Sequence, residues 1–314
     1  MEKRLEQKIF TYSSYLLRKF GRKVFRVGLS TGIPCPHRVK NGGCIFCNPK
    51  AFIGDYQNEK FSISEQLEEG IKLIKKCCGN VKFLAYFQDE TSTAGNTKFL
   101  EKIFSEAISH PEVLGLVIST RPDFIDEKIV EMLSSFKLPV TIEIGMQTIH
   151  DSSLTFLNRG HSFRQTEKAI ELCGKAGLEV GVHLILGIPG ENFEDMRETI
   201  QFVSDEKFIK QVKFHNLVVY KDTRLSEMIK TRNIPILSID DYIIILGNLL
   251  PYLRGDIVIT RLFTSNILNS HLTIGKYSGN KTKWMNSLRK YLYNRDIVQG
   301  SETEVRFDNS NISV

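Results

Sequence analysis

Residues 35–48 read Cys35-Pro36-His37-Arg38-Val39-Lys40-Asn41-Gly42-Gly43-Cys44-Ile45-Phe46-Cys47-Asn48. Three cysteines stand in C-x8-C-x2-C spacing in one short stretch, and thiolates this close in sequence can converge on a single metal centre. A [4Fe–4S] cubane ordinarily takes four cysteines, so three leave one iron open to a small-molecule ligand. A Cys3His zinc site from Cys35, His37, Cys44 and Cys47 is the alternative. Against it, His37 is a tight bite from Cys35 for one zinc. The stretch also opens a long α/β pattern instead of sitting in a small module that needs a metal to fold. Disulfides suit the chain less well: six cysteines are spread over 314 residues, and no apolar signal segment opens it.

Working outward, residues 24–30 alternate apolar and polar and predict a strand that delivers the chain into this loop. Ser62-x-x-Glu65 is a capping box that starts a helix to about 76. Strands are predicted at 81–87, 113–119, 139–145, 178–185 and 212–219. Helices are predicted at 98–109 and 125–134, from the Ser162-x-x-Gln165 cap to about 177, and at 192–204. Strand then helix, repeated six times at crossover spacing, predicts a parallel sheet. The fold class is α/β, a partial (βα)6 TIM-like barrel with helices outside. Its functional residues belong at the C-terminal strand ends. Six units leave an open side that would admit a large substrate. Helices at 224–231 and 240–250, a seventh strand at 257–262 and a closing helix at 283–293 follow. The expected division is an N-terminal helical segment at 1–20, a core at 21–255 and a C-terminal extension at 256–314.

With 41% apolar and 25% charged residues, the chain is ordinary for a globular protein and long enough to bury a full core. No run approaches the ~18 apolar residues of a membrane helix, which implies no membrane span and a cytoplasmic protein. The net charge of +6 fits a polyanionic partner without demanding one. Basic residues cluster before the cysteine loop at Arg18, Lys19, Arg22, Lys23 and Arg26. They recur near the end at Lys276, Lys281, Lys283, Arg289, Lys290 and Arg295, interleaved with Tyr277, Trp284, Tyr291 and Tyr293. Those rings could stack on bases, or the segment could be an amphipathic closing helix.

S-adenosylmethionine (SAM) can fill an open iron with its amino and carboxylate groups, and each strand end offers residues to line its site. Gln88-Asp89-Glu90-Thr91-Ser92-Thr93 could hold an amino group or a ribose. Arg121, in Ser119-Thr120-Arg121-Pro122-Asp123, could pair with a carboxylate, or simply form a salt bridge at a helix start. Glu143, between isoleucines on a central strand, needs a partner, and a ligand could supply it. Gln147 follows on the same strand. Arg159 precedes a capped helix and could clamp an anion; His161 could cap or pack. Gly187 and Gly190, with Pro189 and Glu191, form a turn that would let backbone approach an adenine. His183 and His215 read as core histidines, and Cys77, Cys78 and Cys173 as buried helical cysteines. No catalytic residue is assignable from the residues alone.

CPHRVKNGGCIFCN, YFQDETST, STRPD, IEIGMQTIHDSSLTFLNRGHSF, HLILGIPGE and VKFHNLVVYKDTRL together resemble radical SAM enzymes. They are similar in particular to the YhcC-type family, which is related to the Elongator catalytic subunit and to coproporphyrinogen dehydrogenase-like proteins. The resemblance spans about 20–230, with a weaker match at YLYNRDIVQGS. It implies a [4Fe–4S] cluster on Cys35, Cys44 and Cys47, and SAM held by Gln88, Glu143, Gln147, Arg159 and the turn Gly187, Pro189, Gly190, Glu191. It implies reductive cleavage of SAM to a hydrogen-abstracting radical, an electron donor of the flavodoxin or ferredoxin type, and tRNA as substrate, at a wobble uridine. An aromatic residue expected after the Thr-x-Thr segment is replaced by Ala94-Gly95, and 260–274 lacks the acidic and arginine-rich pattern of the family. A metal-stabilised RNA-binding or regulatory module without catalysis, or a radical enzyme acting on a small molecule, are the competing classes. The oligomeric state is not readable from the sequence.

Overall fold

The structure, a computed structural model, describes residues 4–51, 54, 56–88, 90–264, 272–274 and 280–308. Asp89, 265–271, Lys276 and Tyr277 therefore lie outside the described residues. Strands β1 (Val24–Leu29), β2 (Lys82–Phe87), β3 (Val113–Thr120), β4 (Val140–Gln147), β5 (Glu179–Leu186) and β6 (Ile209–Asn216) pair in parallel in chain order. A short β7 (Val219–Tyr220) follows. β8 (Val258–Arg261) then joins β6 as a seventh parallel strand, and β9 (Leu272–Ile274) pairs antiparallel with β7. The seven-stranded sheet curves into a half-barrel flanked by helices, the fold class the sequence predicts.

The pleat explains the curvature's two faces. Val140, Ile142, Ile144 and Met146 of β4, Val180, Val182 and Leu184 of β5 and Val212 and Phe214 of β6 belong to the main core. They pack under α3 (Ile63–Cys78), α4 (Thr97–Ile108), α5 (Glu127–Ser134), α7 (Phe163–Lys175) and α8 (Phe193–Asp205). The alternate residues, Glu143, His183 and Lys213 among them, point to the inner face, as a period of two requires. The capping boxes at Ser62 and Ser162 start α3 and α7 as predicted.

Two helices missed by the sequence reading belong to the rim. α2 (Pro36–Asn41) lies inside the cysteine loop, with Cys35 as its N-cap and Gly42 at φ 73 ending it. α6 (Asp151–Phe156) follows β4. At the other end, α1 (Tyr12–Phe20) closes the inner face: its Leu16 clusters with Val24, Leu84, Tyr86 and Val117, and Tyr12 and Tyr15 pack against this group. After β7, α9 (Arg224–Arg232), α10 (Ile239–Leu249) and α11 (Lys281–Asn294) complete the helices. Trp284 is 4% exposed and packs on Phe263 with ring centroids 5.9 Å apart. Tyr291 donates to Asn248 Oδ1 at 2.9 Å, and Tyr293 to the Arg4 carbonyl at 2.9 Å. Of the two readings of this segment, Trp284 follows the amphipathic closing helix, and the half-buried Tyr291 and Tyr293 are tied to α10 and the N-terminal segment through their hydroxyls. No helix among the described residues is long and apolar enough to cross a membrane.

Candidate active site

Cys35, Cys44 and Cys47 stand together at the C-terminal end of β1, partly buried and free of disulfides. The loop is anchored from three sides. Cys35 donates its backbone N–H to Glu90 Oε2 at 2.5 Å, and Glu90 also pairs with Arg38. Ile45 N–H reaches the Leu157 carbonyl at 3.0 Å, and Arg224 Nη2 donates to the Gly43 carbonyl at 2.6 Å. Thr91 Oγ1 donates to Cys35 Sγ at 3.3 Å, and Arg159 Nη1 to Cys44 Sγ at 3.2 Å. Burial, and Cys44 beside it, push the Cys47 thiol up to about 12. A thiolate there needs a cation, which an iron cluster provides.

His37 decides between the two metals. Its ring is buried, with Nε2 on the Asn158 carbonyl at 2.6 Å and Nδ1 accepting from Asn41 Nδ2 at 3.3 Å, so both ring nitrogens are occupied. The three sulfurs are also not a set within 4.8 Å of one another; among the described residues that spacing is met only by His150, Asp195 and Glu198. Tetrahedral zinc would hold its sulfurs about 3.8 Å apart, given Zn–S bonds of about 2.3 Å. The donor set therefore fits a three-thiolate cluster, not Cys3His zinc. His150 Nε2 is already held by the Asp195 carbonyl at 2.9 Å.

Arg159 spans the loop and the sheet: besides Cys44 it donates Nη2 to the Gly145 carbonyl at 2.8 Å and Nε to His161 Nε2 at 3.2 Å. Each of its nitrogens is engaged by a protein group. A guanidinium with donors to spare on this rim is Arg121, 3% exposed, where Nη2 reaches Asp123 at 2.9 Å while Nε and Nη1 have no partner among the described residues. Orphan donors on a buried cation point to an anionic ligand group. Burial first, and then Arg159, Arg121 and His37, hold His161 at about 3, so it is neutral.

Glu143, read as a residue whose buried carboxylate needs a partner, gathers protein groups on Oε2, while its buried Oε1 lies beside Arg26 without a hydrogen bond among the described residues. It is 1% exposed and meets Arg26 Nη1 at 2.7 Å, His183 Nε2 and Tyr86 OH each at 2.8 Å, Ser119 Oγ at 3.0 Å and Lys213 Nζ at 3.2 Å. Burial works to raise its carboxyl, but Arg26, Lys213 and His183 outweigh burial and hold it well below the carboxylate range. His183 and His215 thus line the inner face and are not core residues.

Gln147 sits at a register shift ending β4, with φ 73. Glu90 and Asn158, also on this rim, have φ 52 and 51. Left-handed backbone at non-glycine residues is costly and gathers where geometry serves function. Gly187, at φ 82, is covered by the Leu237 side chain, whose Cδ1 crowds the place where a Cβ would stand. Gly190, at φ 101, has open space beside it. Pro189 between them is half-buried, and Glu191 is raised by burial while bonded to Thr148 and Ser153. Gln88 leans over Gly28, its Nε2 2.8 Å from where a Cβ would stand. Cys173 is buried as expected, but Cys77 is exposed beside Cys78 at the end of α3, far along the chain from the loop. α2 and Arg121 carried only weak signals: a Pro at N1 after Cys35, and an Arg at a strand end.

The family model described as "Radical SAM superfamily" matches residues 35–203, and that described as "Radical_SAM C-terminal domain" matches 209–294. Protein YhcC of Escherichia coli strain K12 is 30% identical, over 95% of this chain and 96% of its own. The tRNA uridine(34) acetyltransferase of Methanocaldococcus jannaschii is 37% identical over 37% of this chain and 22% of its own length. Among solved structures, Elp3 of the archaeon Methanocaldococcus infernus superposes with a TM-score of 0.69 at 20% identity. The match covers 88% of this chain and 64% of that one, which is less than two thirds of it.

Proposed function

This chain belongs to the radical SAM superfamily and is an enzyme that uses a [4Fe–4S] cluster and SAM; we propose that Cys35, Cys44 and Cys47 hold the cluster and that the substrate is tRNA, at the side chain of a wobble uridine. When bound, the cluster and SAM supply an electron and a sulfonium whose reductive cleavage yields a hydrogen-abstracting radical. The observation that carries the assignment of ligands is the loop itself: three thiols on one rim, two of them accepting hydrogen bonds, with the nearby histidine engaged elsewhere. Arg121 would take the SAM carboxylate with its two free donors. Gln88, Gln147 and the 187–191 turn would line the rest of the SAM site. Arg159 orients Cys44, and Glu143 holds Arg26 and Lys213 in place on the inner face.

The tRNA reading is supported by the partial likeness to the uridine-34 acetyltransferase. It is also supported by a polar groove on α11 formed by Asn280, Thr282, Lys283, Asn286, Ser287 and Lys290. Residues 21–255 would form the catalytic core, with 256–314 closing it and meeting the RNA backbone. The electron would come from a small flavodoxin- or ferredoxin-type donor. Nucleoside mass spectrometry of tRNA from a strain lacking the gene tests the substrate. Loss or truncation of one modified uridine, restored by the wild-type gene and not by a Cys44→Ala copy, is the expected result. An unchanged uridine profile would overturn it.

A further inference from the structure

The inner face of the half-barrel carries more positive than negative charge. Arg26 of β1, Lys213 of β6 and Arg261 of β8 gather near the carboxylate of Glu143, while the other inner-face carboxylate, Glu179, is paired with Lys19 at 2.5 Å. Arg261 stands in register with Lys213. It is half-buried and makes no hydrogen bond or ion pair to a described residue, yet its charge reaches Tyr86, His183, Lys213 and His215. Lys281, at the start of α11, is held below its ordinary value by burial and by Arg261. The chain that leaves β8, residues 265–279, contains no Asp or Glu to balance these cations.

Donors are left over as well. Arg26 forms an ion pair with Glu143 through Nη1 and donates Nε to Tyr12 OH at 3.0 Å, and its buried Nη2 has no partner among the described residues. His215 Nδ1 lies 3.2 Å from Thr264 Oγ1, whose hydroxyl faces the Asn216 carbonyl at 3.3 Å, so the neutral ring keeps its one N–H on that side and Nε2 adds no donor. Lys213, 4% exposed, reaches only Glu143 and Tyr86 OH. Buried cations and orphan donors on one concave face are costly unless a ligand completes them.

We propose that Lys213 and Arg261 form an anion-binding subsite that receives an acidic substituent, a carboxylate or a phosphate, of the molecule the enzyme acts on. Calling the occupant a substrate rests on the reading given above; the charge excess does not. Burial, the largest influence, and the neighbouring Arg261 and Arg26 hold Lys213 down at about 7 despite Glu143. Without an anion the site thus sheds part of its charge by releasing a proton from Lys213. An arriving anion draws that proton back. Tyr86, pushed up by burial, and His183 and His215, held down by it, stay neutral near pH 7 and do not compete for it.

The test is calorimetry on the full-length, cluster-loaded protein under anaerobic conditions. It is titrated with sodium acetate, with inorganic phosphate, and with sodium chloride at matched ionic strength. Saturable binding of acetate or phosphate is expected, with proton uptake seen as a dependence on buffer ionisation heat. Acetate alone would assign a carboxylate, phosphate alone a phosphate group, and both the shared anion chemistry. Arg261→Gln should weaken binding about tenfold or more, Arg261→Lys should retain most of it, and the surface change Lys290→Gln should leave it intact. Cluster content and 5′-deoxyadenosine formation in the same preparations report separately on the radical SAM reading. No saturable binding, equal binding of chloride, or undiminished binding by Arg261→Gln would overturn the subsite.

Discussion

At the scale of single residues, the site is organised by Arg159, which joins Cys44, the Gly145 carbonyl and His161 in one side chain. A guanidinium donating to a thiolate ligand stabilises the more negative, reduced cluster, because hydrogen bonds to ligand sulfur raise reduction potentials. Arg159→Gln should therefore keep its iron and lower the cluster potential by on the order of 60 mV, the one-electron equivalent of a tenfold shift. A redox titration followed by electron paramagnetic resonance reads this directly. An unchanged potential would reduce Arg159 to a structural tie. The residue scale is also where the sequence was least legible. Glu143 was conspicuous as a carboxylate between isoleucines, but its partners Arg26, Lys213 and His183 lie 117, 70 and 40 positions away, and only the sheet register unites them. Arg121 and Arg159 looked alike in sequence. Geometry separates them, because one has spare donors and the other none.

At the scale of elements, the strands and helices of the core were legible because each carries its own period and caps. Boundaries at α3, α4, α7 and α8 fall within about two residues of expectation. β6 was placed three residues late, since Lys210 and Gln211 interrupt its apolar run while facing outward to solvent and inward to Glu179, respectively. α2 was invisible for want of length: six residues cannot show a helical period. α11 was read two ways, and the structure chooses packing for its aromatic side. Trp284→Ala should accordingly cost about 3–5 kcal/mol of stability through the cavity left against Phe263. RNA affinity should not fall selectively. Lys283→Ala and Lys290→Ala, on the exposed groove, should leave the melting temperature alone and each flatten the salt dependence of RNA binding by about 0.7 log unit per log unit of salt. Thermal melts beside filter binding at several salt concentrations separate the two sides of the helix. A selective loss of RNA affinity in Trp284→Ala would contradict this division.

At the scale of the whole molecule, the half-barrel encloses several ionisable groups away from water, and that leaves a signature in pH. Burial, with Lys213 beside it, holds His183 at about 4 in the folded protein, and burial, with Arg159 beside it, holds His161 at about 3; both return to about 6.5 on unfolding. The unfolded chain therefore binds more protons below pH 6.5, so stability is full above that value and is lost as pH falls toward 4. Each histidine contributes a slope of about 1.4 kcal/mol per pH unit in this window. Urea unfolding between pH 7 and 4.5 should show the fall, and His183→Gln should remove about one histidine's share of it. A flat profile would mean that these rings are not buried as described.

The central claim is that Cys35, Cys44 and Cys47 equip this barrel for reductive cleavage of SAM. The most direct measurement is the 5′-deoxyadenosine formed from SAM by anaerobically reconstituted, dithionite-reduced protein, quantified by mass spectrometry for the wild type and for Cys44→Ala. Production by the wild type and its loss in Cys44→Ala is the predicted result. No product from an iron- and sulfide-replete wild type, or equal product from Cys44→Ala, would contradict the account.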